Sequence, residues 1–243
     1  MKILIYNIAY STGLKGSLLG YATNFWRYLV WAPKKTFRRL VEFLKKQNAD
    51  VLCLLETDSG SFRNRFRSQP KAIAEQLSFP LFWSASKYGP RSPLRHLPTF
   101  RKQEDAVLSK IKGEIKDHYL KNGEKKLVQE FVAQGISLFV VHLGLRASLR
   151  AKQLRELTEI LRTCPRPHLV CGDFNIFKGL NEIQIFIREN RLISVQTRAT
   201  FPSLKPKFLV DLILASETIR VKDAGVEDVP FSDHLPVWVE IES

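Results

Sequence analysis

The chain has 243 residues, 44% of them hydrophobic and 26% charged, with four Trp and sixteen Phe. This composition excludes a disordered polymer and is ample for a large apolar core. A formal charge of +14 points to an anionic partner, either nucleic acid or an anionic membrane face.

Much of that charge lies between Ser59 and Gln103, where nine basic residues face one acid, Glu75. Cys53, Cys164 and Cys171 are odd in number and show no Cys-x-x-Cys spacing, as expected of buried free thiols in a reducing compartment. The apolar run at residues 3–6 is cut off by Asn7, too early for a signal-peptide core. No apolar stretch approaches the roughly 20 residues of a spanning helix. A cytoplasmic protein is expected, and a monomer.

In chain order, Lys2–Ile8 reads as a buried strand. Lys34–Asn48 reads as an amphipathic helix, with Phe37, Leu40, Val41 and Leu44 on one face and Arg38, Arg39, Lys45 and Lys46 on the other. Asp50–Leu55 is a second buried strand that delivers Glu56 at its end. Pro70–Leu77 is a short helix. Phe79–Arg101 carries four prolines and many basic residues and reads as a long loop. Strands follow at Ala106–Ile111, Leu127–Ala133 and Ile136–His142, the last two joined as a hairpin through Gln134-Gly135. Ser148–Arg162 is helical, with Leu154, Leu157 and Leu161 on one face. His168–Cys171 is a strand leading into a Gly172-Asp173-Phe174-Asn175 turn. Asn181–Asn190 is a short helix with an Asn N-cap, and Phe208–Ala215 and Val237–Ile241 are the final strands. The alternation early and the strand clusters later indicate a layered α/β fold with mixed sheets, with no linker that would split residues 1–243 into domains.

Ligand-type residues recur where strands end: Asn7, Glu56, His142, Asp173 with Asn175, and Asp233 with His234. Asp211 sits inside an apolar run, where an acid needs a partner such as a histidine. Singly each has a bland reading, a turn or a strand end. Together they are the equipment for holding a hard divalent cation and cleaving a phosphate ester.

The ordered set Ile5-Tyr6-Asn7, Leu54-Leu55-Glu56, Ala106-Val107-Leu108-Ser109, Val141-His142-Leu143, Gly172-Asp173-Phe174-Asn175, Val210-Asp211-Leu212-Ile213 and Ser232-Asp233-His234 resembles the endonuclease/exonuclease/phosphatase superfamily over almost the whole chain. That superfamily includes deoxyribonuclease I, exonuclease III-type repair nucleases, neutral sphingomyelinases and inositol polyphosphate 5-phosphatases. The stretch from His142 to Arg146, followed by Gln153-Leu154, is most similar to small uncharacterised bacterial members. The resemblance implies a deoxyribonuclease I-like, four-layered α/β sandwich of two mixed sheets flanked by helices. It implies Mg²⁺ or Mn²⁺ as cofactor, held by Glu56 with Asn7 and Asp233. It also implies that Asp173 orients or deprotonates the attacking water, that Asn175 holds the phosphate or that water, that Asp211 and His234 form a carboxylate–histidine pair, and that His142 contacts a phosphate oxygen or assists the leaving group. One position departs from the pattern: Glu104-Asp105-Ala106 stands where many members carry Gly-Asn-Ala, so Asp105 is either an added metal ligand or a charge that weakens phosphate binding. The Trp-rich C-terminal signature of the exonuclease III repair branch is absent, which disfavours an abasic-site nuclease.

Three substrate readings remain open. A nuclease on DNA or RNA is favoured by the charge and by Phe62-Arg63-Asn64-Arg65-Phe66-Arg67, where arginines beside aromatics suit phosphates and bases. Arg63, Arg65, Arg67, Arg91, Arg95, Arg101, Lys102 and Arg146 are the candidate substrate-binding residues. A phospholipid or sphingomyelin-type phosphodiesterase at a membrane surface is suggested by Leu14–Ala32, whose Leu18, Leu19, Tyr21, Phe25, Trp26, Tyr28 and Trp31 precede Lys34, Lys35, Arg38 and Arg39. The same stretch also suits a helix packed on the sandwich or lidding the site. The third reading is a non-catalytic polyanion-binding module, against which every expected ligand type is present.

Overall fold

The computed structural model of the chain describes residues 1–16 and 26–242. Leu18, Leu19, Tyr21 and Phe25, on which the membrane-facing expectation partly rests, lie outside the described residues. No helix among those described is long and apolar enough to cross a membrane.

Two six-stranded mixed sheets form the frame among the described residues. The strands are β1 (Lys2–Asn7), β2 (Val51–Asp58), β3 (Leu81–Ser86), β4 (Gln103–Ser109), β5 (Glu114–Tyr119), β6 (Leu127–Ala133), β7 (Ile136–His142), β8 (His168–Asp173), β9 (Leu192–Ser194), β10 (Asp211–Ser216), β11 (Val221–Val226) and β12 (Val237–Ile241). The first sheet runs β11-β12-β1-β2-β4-β3 and the second β5-β6-β7-β8-β10-β9. Each contains one parallel pair, β1 with β2 and β7 with β8, and each pair is bridged by a long helix. These helices are α2 (Lys34–Gln47) and α4 (Ala147–Arg162). Three shorter helices are also present among the described residues: α1 (Trp26–Leu29), α3 (Gln69–Leu77) and α5 (Gln184–Glu189).

The period-two geometry of strands sorts the core into three layers. Ile3, Ile5, Val51, Cys53 and Leu55 of the first sheet meet Phe131, Leu138, Val140, Leu169, Cys171 and Ile213 of the second. The alternate residues face outward onto helices. Leu4, Tyr6, Leu52 and Leu54 pack on Leu40, Val41 and Leu44, while Phe139, Val141, Val170 and Leu212 pack on Leu154, Leu157 and Leu161. Interior strands buried on both faces are therefore near-continuous apolar runs. The result is the expected four-layered sandwich.

Several expected elements are corrected. The segment read as one long loop from Phe79 to Arg101 contains β3, and β5, β9 and β11 also appear where no strand was expected. The Gly172-Asp173 pair is not a turn but the end of β8. The expected helix over Asn181–Asn190 is a 3₁₀ turn, Leu180–Ile183, followed by α5, and Asn181 caps neither. The loss of the cap follows from the turn beginning at Gly179, upstream of Asn181. Glu56 does not end its strand: β2 continues to Asp58, with a register irregularity between Leu54 and Thr57.

Candidate active site

Sheet register builds the centre of the site. His142 is the Cα partner of Asp173 across the β7–β8 ladder, and Asp211 is the partner of Asp173 across the β8–β10 ladder. Three candidate catalytic residues thus stand side by side in one row across the second sheet. Gly172, just before Asp173, has φ +135, and a Cβ there would lie 2.0 Å from the Val141 carbonyl oxygen. Only glycine lets β8 approach β7 this closely.

The first sheet delivers its residues to the same place. Asn7, the last residue of β1, donates from Nδ2 to Asp173 Oδ2 at 3.2 Å, while its Oδ1 accepts the Ala9 amide. The Asp173 Oδ1 accepts the backbone N–H of Asn175 at 3.0 Å, and Asn175 Nδ2 donates to the Leu143 carbonyl. His142 Nε2 lies 3.2 Å from Asp173 Oδ2 and 3.9 Å from Glu56 Oε1. Burial pushes the Asp173 carboxyl up, but His142, His234 and Lys125 outweigh it and hold the group well below the usual carboxylate range.

His234 and Asp211 form the expected pair, Nδ1 to Oδ2 at 2.9 Å, with Thr200 Oγ1 donating to the same carboxylate oxygen at 2.5 Å. Burial alone would lower the imidazole, but Asp211, Asp173 and Asp233 raise it to about 10. His234 is therefore an imidazolium at neutral pH. Its ring packs on Phe201, with centroids 5.0 Å apart, and Phe177 packs edge-on against Phe201 and Phe208. Asp233 accepts from Tyr28 at 3.2 Å and from the Ser232 hydroxyl at 3.1 Å.

Glu56 has φ 53, a left-handed backbone for a non-glycine residue. Asp105 holds it there, accepting the Glu56 amide on Oδ1 at 2.9 Å. Asp105 Oδ1 also lies 4.0 Å from His142 Nδ1, a buried atom with no hydrogen-bond partner among the described residues.

Lys87, Lys125 and Tyr10 also converge on Glu56, although their sequence contexts give no sign of it. Lys87 Nζ lies 3.2 Å and Lys125 Nζ 3.7 Å from Glu56 Oε1. Lys87 also binds the Tyr10 hydroxyl, and Lys125 the Nε2 of His142. Burial pushes Glu56 up, but Lys87, Lys125 and His142 hold it far below its ordinary value. In the sequence Lys87 is marked only as part of a basic stretch, and Tyr10 sits in a left-handed turn of Ala9, Tyr10 and Ser11 (φ 41, 56 and 58) that contains no Gly or Asn to signal it.

The basic residues expected to bind substrate are scattered. Arg63 is a correction: its side chain is fully buried, with Nη2 2.8 Å and Nε 3.1 Å from Asp58 Oδ2 and Nη1 donating to the Tyr28 carbonyl. A guanidinium enclosed in this way does not reach a surface polyanion. Arg65 stacks on Trp31 at 3.7 Å and, with Arg67, Lys34 and Arg38, lines a cleft of about 260 Å³. Arg67, Arg91, Arg95, Arg101 and Arg146 are exposed and Lys102 is half-buried. Arg91 lines a groove of about 680 Å³ with Lys121, Lys126 and Tyr119. A bridge between Tyr88 and Lys125 ties that groove to the Glu56 lysines.

The family model described as the Endonuclease/Exonuclease/phosphatase family matches residues 6–234. No curated protein matches the sequence. Among solved structures, an endonuclease/exonuclease/phosphatase from Beutenbergia cavernae DSM 12333 is 19% identical with a TM-score of 0.69, the match covering 99% of this chain and 71% of that one. A family protein from Leptotrichia buccalis C-1013-b is 15% identical with a TM-score of 0.70, covering 100% of both chains. A mannosyl-6-phosphatase from Bacteroides thetaiotaomicron VPI-5482 is 16% identical with a TM-score of 0.67, again over 100% of both. At these identities the likeness establishes the fold.

Proposed function

The chain belongs to the endonuclease/exonuclease/phosphatase family, and from that premise we propose that it is a divalent-metal-dependent phosphoesterase hydrolysing phosphodiester bonds of DNA or RNA, with residues 1–243 acting as one catalytic domain. The observation that carries the reading is the row His142–Asp173–Asp211, fixed by sheet register and joined to Asn7, Asn175 and His234 by hydrogen bonds.

The donor set fits a hard cation. Among the described residues, Glu56, Asp105, Asp173, Asp211 and Asp233 supply five carboxylates, against the ammoniums of Lys87 and Lys125 and the His234 imidazolium. Asp173, Asp211 and His234 bring ligand atoms within 4.8 Å of one another, and the carboxylates are the oxygen donors that Mg²⁺ or Mn²⁺ takes. Glu56, Asn7 and Asp233 would hold it. When bound, the ion neutralises phosphate charge and stabilises the leaving oxygen. Asp173, ionised and fixed by Asn7 and the Asn175 amide, orients the attacking water and accepts its proton. His234, held by Asp211, presents Nε2–H to a phosphate oxygen. His142, between Asp173 and Lys125, faces the reacting phosphate beside them.

A nucleic-acid substrate is supported by the groove lined by Arg91, Lys121 and Lys126 beside the site, and by the aromatic wall of Phe177, Phe201 and Phe208 next to His234. A second reading, a phosphodiesterase at an anionic membrane surface, is favoured by one observation. Trp26, Val30, Trp31, Phe62 and Phe66 are all exposed, Phe66 to 76%, beside Arg27, Lys34, Lys35 and Arg38. The test is Mg²⁺- and Mn²⁺-dependent hydrolysis of plasmid DNA, RNA and mixed phospholipid vesicles side by side, with chelator and His234→Ala controls. Nicking lost in both controls supports the nuclease. Headgroup release without nicking moves the substrate to lipid, and silence on all three overturns the phosphodiesterase reading.

A further inference from the structure

Glu56 already has a cation. Lys87 follows β3 directly, its side chain only 3% exposed, with Nζ between Glu56 Oε1 at 3.2 Å and the Tyr10 hydroxyl. The rings of Tyr10 and Tyr88 lie 5.1 and 5.6 Å from the ammonium. Tyr10 is itself fixed, because Gln69 Nε2 donates to its carbonyl at 2.9 Å and the left-handed turn around it is held against its intrinsic cost. Lys125 adds a second ammonium 3.7 Å from the same carboxylate oxygen. A lysine head normally reaches for water. This one is enclosed by groups that leave it one place to be.

We infer that Lys87 is a resident cation at Glu56 that holds the position against a divalent metal, so that metal binds this centre weakly and tightens when the ammonium is removed. The inference rests on the reading of Glu56 as a cation ligand. An incoming dication at Glu56 meets a fixed ammonium on the same carboxylate, where Lys87 is 3% and Glu56 15% exposed and solvent screens the repulsion only in part. Either the ammonium is displaced from its tyrosine cage or the two cations share the carboxylate, and both routes cost affinity.

The test is Mn²⁺ titration of the whole protein, read by calorimetry and by the electron paramagnetic resonance signal of free Mn²⁺, without substrate. Wild type is compared with Lys87→Met, Lys87→Gln, Lys87→Arg and Glu56→Gln, each first checked for a cooperative melt. Lys87→Met and Lys87→Gln are expected to bind Mn²⁺ roughly tenfold more tightly or better. Lys87→Arg, which keeps the charge, is expected to stay near wild type, and Glu56→Gln to bind more weakly than wild type. Should Lys87→Met fail to fold, Lys87→Gln reads the same quantity. Neutral variants that bind no more tightly than wild type overturn the inference and leave the metal reading standing. If no form binds Mn²⁺, or Glu56→Gln binds like wild type, the reading of Glu56 as a ligand falls and the inference with it.

Discussion

Asp105 accepts the backbone N–H of Glu56 at 2.9 Å, and Glu56 has the left-handed φ of 53 that this bond stabilises. The acid that departs from the family pattern thus positions the expected metal ligand through the main chain. Asp105→Ala leaves a buried amide without its acceptor and should cost about 1–3 kcal/mol. It should also lower turnover, because Glu56 loses its fixed place. Asp105→Asn keeps an oxygen at the same position and should unfold at nearly the wild-type urea concentration. An alanine variant as stable as wild type would remove this role.

The second prediction concerns pH. The folded-state value of His234, about 10, lies above the ordinary imidazole value, so the folded protein holds this proton more tightly than the unfolded chain. The resulting stability is fully present below about pH 6.5 and declines as pH rises through about 10. In nitrogen-detected NMR, His234 should remain an imidazolium at pH 8. Asp211→Asn should lower its titration point and flatten the alkaline loss of stability seen by chemical denaturation. A wild-type His234 that titrates near 6.5 would contradict the ion pair.

Asp173→Asn keeps the shape of the group but removes the charge that Asn7 and the Asn175 amide hold in place. Turnover on the substrate identified by the side-by-side assay should fall by roughly 10²–10⁴-fold, as for loss of a general base, with the melt preserved. Activity within a few fold of wild type would remove Asp173 from the reaction.

Arg63 and Arg67 are four residues apart and should behave oppositely. Arg63→Met strands the buried Asp58 carboxylate and should lower stability by about 3–5 kcal/mol. Arg67→Ala should leave the melt unchanged and, if the surface meets nucleic acid, reduce the salt dependence of its binding by about one charge. Comparable destabilisation by both substitutions would refute the distinction.

Eight of the twelve strands among the described residues are legible in the sequence, and the four that are not, β3, β5, β9 and β11, are the edges of the two sheets. The reason is physical. An interior strand is apolar on both faces and announces itself, whereas an edge strand such as Glu114–Tyr119 is charged and partly wet and reads as loop. The expectation of a membrane-facing role for Leu14–Ala32 rests on composition, since residues 17–25 lie outside the described residues.

By itself, the sequence determined which residues are candidates for the site. Asn7, Glu56, His142, Asp173, Asn175, Asp211 and His234 are polar groups set into or beside apolar runs, where a buried donor or acid is costly without a purpose. Only the tertiary structure decided what shares Glu56 and what does not reach the surface. Lys87, Lys125 and Tyr10 come to Glu56 from distant loops, and Arg63 turns inward to Asp58. Local patterning records which face of an element is buried, and it carries no trace of which distant charge will be buried against it.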